Sequence, residues 1–110
     1  GCRGLTSIEI PSSVTEIGLW AFSGCRGLTS IEIPSSVTEI GCAAFLECNH
    51  LTDIFINSKN PDFVKLILKS NIKKEMITLH VPIGTGYAYR HSEVTQGFKA
   101  IVAENWKRNK

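Results

Sequence analysis

A short α/β solenoid with one parallel strand per coil is the fold class the sequence predicts, and three observations predict it. Residues 1–17, GCRGLTSIEIPSSVTEI, recur without change as residues 24–40, a period of 23. The match runs on, since Gly18, Ala21 and Phe22 return as Gly41, Ala44 and Phe45, and a weaker third copy carries Cys48, Leu51, Thr52, Ile54 and Ile56. The first two copies also keep one internal rhythm: an apolar alternation, a proline, then a glycine ahead of an aromatic corner. A fixed period of about 20–50 residues marks stacked repeats, in which each unit buries its apolar face only against its neighbours.

The elements follow in chain order. In LTSIEIP, the residues Leu5, Ile8 and Ile10 read L-x-x-I-x-I, and the closing I-x-I alternation is that of a short strand with one buried face. Pro11 ends that strand by removing a donor and fixing φ. Val14 and Ile17 then point inward from a second straight side, and Gly18 permits the turn back. Ala21, Phe22 and Cys25 form a tight helical or 3₁₀ corner plugged by the ring. Stacked at the strand spacing of about 4.8 Å, the copies place identical side chains in ladders: Leu5/Leu28/Leu51, Ile8/Ile31/Ile54, Ile10/Ile33/Ile56, Val14/Val37, Ile17/Ile40 and Phe22/Phe45.

Beyond residue 56 the period breaks. Residues 57–62, NSKNPD, are turn-rich, after which Phe63, Leu66, Ile67 and Ser70 follow helical spacing with Asp62 at the favourable N-terminal end. Residues 77–81 alternate as a strand, and residues 85–92 suit a short helix that packs Tyr87 or Tyr89 across the end of the stack.

The string LTSIEIPSSVTEIGxxAFxxC resembles the BspA-type leucine-rich repeat, a 23-residue class of secreted and surface proteins. The likeness covers residues 1–56, and residues 77–104 resemble the segment that closes such arrays through Leu79, Val81, Pro82, Gly84, Ala88, Tyr89, Phe98 and Ile101. The tryptophan often found shortly before that Phe is absent, and Trp106 lies too late to replace it. The resemblance implies a right-handed leucine-rich-repeat solenoid with a C-terminal α/β cap. It divides the chain into repeats at 1–56, an insertion at 57–76, a capping segment at 77–104 and a basic tail at 105–110.

Composition excludes several classes. Hydrophobic residues make up 43% and charged residues 20%, with a formal net charge of +2, so nothing pulls the chain toward nucleic acid. The charge is uneven: residues 1–60 hold three basic and six acidic side chains, and residues 61–110 hold nine and four. No apolar run approaches the roughly 18 residues of a membrane span, and the first residues do not form a charged-then-apolar signal segment. Because the chain opens inside a repeat, it is expected to be part of a longer protein, and its uncapped first coil is a candidate for self-association.

Candidate chemistry is sparse. Cys2, Cys25 and Cys48 form a ladder whose spacing falls inside the disulfide range of about 4.4–6.8 Å. Their side chains point the same way into the core, which favours buried, inert free thiols, and no C-x-x-C spacing supports a metal. Glu9 and Glu32 share one outward column that Phe55 continues, with Ser7, Ser30 and Asp53 on the next. Held on an open, wet sheet, these carboxylates form a solvated recognition face rather than an acid–base pair. Glu16 and Glu39 make a second, solvated column. His50, His80 and His91 share no ligand spacing and read as surface or packing residues, while Gly84–Gly86 is a turn and not a phosphate loop.

No catalytic constellation, cofactor or metal is indicated. The expectation is a non-enzymatic binding module, extracellular or at the cell surface, that contacts proteins or glycans such as host extracellular matrix. Ser7, Glu9, Ser30, Glu32, Asp53 and Phe55 are its candidate contacts. The alternative is a structural spacer that presents another domain, since identical outward residues are not what tuning to one ligand produces.

Overall fold

The computed structural model describes residues 6–18, 22, 24–41, 44–45, 47–68 and 72–104. Expectations that fall on Cys2, Leu5, Ala21, Cys42, Ser70 and the 105–110 tail lie outside these residues. The main sheet is parallel and five-stranded, in the order β1 (Ser7–Glu9), β3 (Ser30–Pro34), β5 (Asp53–Asn57), β6 (Thr78–Val81) and β7 (Ala100–Ala103). A two-stranded sheet, β2 (Glu16–Ile17) beside β4 (Glu39–Ile40), forms the second straight side. The chain is therefore an α/β repeat fold with few helices.

Register follows the sequence period. Ile8 pairs with Ile31 and Ile31 with Ile54, while Glu16 and Ile17 pair with Glu39 and Ile40. Alternation then sorts the faces. Ile31 and Ile33 are buried on β3, Ile54 and Ile56 on β5, and Leu79 and Val81 on β6, with the residues between them partly exposed. Threonines reinforce the stack: the Thr29 hydroxyl donates to Thr6 O at 2.9 Å, and backbone bonds run from Thr29 N–H to Thr6 O and from Thr52 N–H to Thr29 O. A β-branched residue that also satisfies a neighbouring carbonyl suits this position.

The described residues of the aromatic corners form hydrogen-bonded turns. Cys25 N–H donates to Phe22 O and Cys48 N–H to Phe45 O, both at 3.1 Å. The Phe22 and Phe45 rings stack with centroids 5.5 Å apart and planes 4° apart. Both corners need one left-handed residue: Gly24 has φ 77° and its equivalent one coil on, Glu47, has φ 63°. An L side chain there costs about 1–2 kcal/mol, against a smaller entropy loss for glycine. Glu47→Gly is thus expected to raise stability by up to about 1 kcal/mol, measured as a higher urea midpoint.

After β5, Asn60 caps a 3₁₀ turn at Pro61–Phe63, its Oδ1 accepting from Asp62 N–H, and the turn runs into α1 (Val64–Leu68). Val64 and Ile67 bury one face of α1. The expected helix after Thr85 is α2 (Gly86–Arg90). It resolves the choice between its two tyrosines: Tyr89 is fully buried and Tyr87 is 76% exposed. The Tyr89 hydroxyl donates to Ser58 O at 2.5 Å, tying α2 to the loop after β5.

Candidate functional site

The outward face of the main sheet carries two columns of side chains. Pairing sets Ser7, Ser30, Asp53, Thr78 and Ala100 in one, and Glu9, Glu32, Phe55, His80 and Val102 in the other. Five of the six expected contacts, Ser7, Glu9, Ser30, Glu32 and Phe55, line one shallow groove of about 310 Å³, with Ile8 and Ile31 at its floor. Hydroxyls and carboxylates stand at one end and an aromatic ring at the other. Such a surface offers hydrogen-bond acceptors and donors beside an apolar face, which suits recognition more than bond-breaking.

Asp53 does not line that groove. It belongs to a separate cluster toward the C-terminal end of the sheet, where His80 Nε2–H donates to Asp53 Oδ1 at 2.7 Å and the Thr52 hydroxyl to Oδ2 at 2.9 Å. Partial burial pushes the Asp53 carboxyl up, but the His80 and Thr52 hydrogen bonds, with the charges of His80 and Lys99, outweigh it and hold the group below its ordinary 3.8. His80 also stacks on Phe55, with centroids 4.1 Å apart and planes 15° apart, while its buried Nδ1 faces Glu104 Oε1 at 3.7 Å.

His80 is thus a packing residue with a second duty, because it orients both Asp53 and Phe55. The period hides this role: 55 to 80 is a step of 25, not 23. The signal that could have found it is the Leu79-x-Val81 alternation, which turns His80 outward. His50 instead donates from Nδ1 to Arg26 O at 2.8 Å, and His91 packs on the exposed Tyr87 ring.

The free-thiol expectation needs correction at one rung. Cys25 is fully buried and disulfide-bonded, to a partner outside the described residues. Cys48 is a free thiol. Burial pushes it up from its ordinary 9.0, more than the backbone N–H of Cys25 brings it down.

Among the described residues no helix is long and apolar enough to cross a membrane. No curated protein and no solved structure matches the chain. The sequence model for the BspA type leucine-rich repeat region does match, over residues 1–92 in six copies. That match extends past the identical coils through α2, and takes in β6, which continues the sheet. The chain belongs to the BspA type leucine-rich repeat family.

Proposed function

We propose that this chain is a non-enzymatic binding module of a secreted or cell-surface protein, and that it contacts proteins or glycans through the outward face of its main sheet. Residues 1–56 act as repeats of a right-handed solenoid, residues 57–76 as an insertion, and residues 77–104 as the cap over its last coil. The observation that carries the reading is the groove that gathers Ser7, Glu9, Ser30, Glu32 and Phe55 on one face. Its support from kinship is general: the family is a binding scaffold typically associated with bacterial surfaces. Affinity would come from many weak contacts repeated along the stack.

The test is binding to a panel of matrix glycoproteins and glycans. The double variant Glu32→Ala/Phe55→Ala is expected to weaken saturable binding at least about tenfold, as loss of a central anchor does, while the chain still unfolds cooperatively and with only a modest loss from the Phe55–His80 stack. Undiminished binding by that variant would remove the groove from the account.

The spacer reading has its own observation. Thr6, Ser7 and Glu9 equal Thr29, Ser30 and Glu32, so the outward face repeats instead of diversifying. Absence of saturable binding across the panel would favour it.

A further inference from the structure

The cysteine ladder is the sequence motif that the sheet face leaves unused. Cys25 and Cys48 stand one coil apart, in a stack whose next strands pair Ile31 with Ile54. Cys25 N–H donates to Phe22 O at 3.1 Å, and the Cys48 thiol donates to that same carbonyl, also at 3.1 Å. The Cys25 N–H also faces the Cys48 sulfur. Adjacent rungs about 4.8 Å apart meet the Cα requirement of a disulfide. Cys25 already carries such a bond, and Cys48 carries a thiol. A nucleophile and a disulfide are therefore neighbours in one fixed register.

We propose that Cys25 is the pivot of a thiol–disulfide exchange in which Cys48 takes over the bond, so that the cross-link comes to join Cys25 to the next rung of the ladder. The Cys48 thiol gives its proton to solvent, and the thiolate attacks Cys25 Sγ. A Cys48–Cys25 bond forms, and the bond from Cys25 to its present partner breaks. That partner leaves with the electron pair as a thiolate, which takes up a proton. One disulfide and one thiol stand on each side, so the step consumes no oxidant or reductant.

The surroundings set the pace. Because burial keeps the Cys48 thiol protonated above the ordinary range, its thiolate is scarce at neutral pH and the exchange accelerates as pH rises. Once moved, the bond ties the second coil to the third, where the stack passes into β5 and β6.

The experiment follows the folded protein, purified without reductant, over time between about pH 7 and 9. Samples are quenched with acid, alkylated, and digested without reduction by trypsin and a Glu-specific protease, since Glu47 separates Cys42 from Cys48. A linked Cys25–Cys48 peptide is expected to accumulate, its initial rate rising about tenfold per pH unit. Cys48→Ser is expected to abolish it while Cys25 stays bonded. Full alkylation of Cys48 at every time and pH overturns the proposal. So does a linked peptide that forms no faster in the folded chain than in guanidinium, because register would then contribute nothing. The wild-type time course decides the matter even where Cys48→Ser fails to fold.

Discussion

Ile31→Ala is expected to lower the stability of the fold by about 2–5 kcal/mol, the usual cost of truncating a buried aliphatic side chain. Ile31 is 1% exposed and sits between Ile8 on β1 and Ile54 on β5. Removing its outer carbons strips contacts from both neighbouring rungs of its ladder at once and leaves a cavity that neither neighbour can fill, since both belong to hydrogen-bonded strands. The informative comparison is Ile8→Ala. Ile8 and Ile31 lie in identical 17-residue stretches, so local propensity and unfolded-state behaviour are matched. Ile8 is only half-buried and its strand is the sheet edge. Its truncation is expected to cost about 1–2 kcal/mol. Urea denaturation of the two variants measures the difference. Equal losses would mean that each coil is stabilised from within and would contradict nearest-neighbour stacking.

That contrast also shows why so much of the fold could be read from residues alone. In a chain that repeats itself, the period fixes which side chains are neighbours, and the Ile8/Ile31/Ile54 and Glu16/Glu39 pairings follow from counting. Legibility fell where counting failed. Between β5 and β6 the step becomes 25 residues and between β6 and β7 it becomes 22. The partners of Phe55 and Asp53 could not be found by period, and β7 was legible only as the Phe98 and Ile101 of a closing segment. The groove shares this division. Its serines and glutamates lie on the identical coils, whereas His80, which packs Phe55 and engages Asp53, comes from beyond the repeats. The Cys25 disulfide was missed for a different reason. Its partner lies outside the described residues, and no C-x-x-C spacing or other local signal marks Cys25 as oxidised.

Tyr89 is the position where the region after the repeats should prove most sensitive. The ring is fully buried, and its hydroxyl donates to Ser58 O at 2.5 Å and to Asn60 O at 3.3 Å. The backbone carbonyl of Tyr89 in turn accepts from the Thr95 hydroxyl, itself buried, so one residue joins α2 to the segments on both sides of it. Tyr89→Ala is expected to cost about 3–5 kcal/mol, as for other buried aromatics. Tyr89→Phe keeps the ring and removes only the donor, leaving Ser58 O short of a partner at about 1–3 kcal/mol. The two variants therefore separate packing from hydrogen bonding. A pH series separates them again. Burial pushes the Tyr89 hydroxyl from 10.0 up to about 12, against a smaller lowering from its bond to Ser58. The folded state then holds a proton that the unfolded chain releases, so the contribution is complete below pH 10.0 and is lost as pH rises toward about 12. Tyr89→Phe should erase that component, and its melting temperature should fall less steeply than wild type over the same interval. Parallel alkaline profiles for the two proteins would mean that the Tyr89 hydroxyl does not differ between folded and unfolded chains, and that the tie from α2 to the Ser58 loop is made by packing alone.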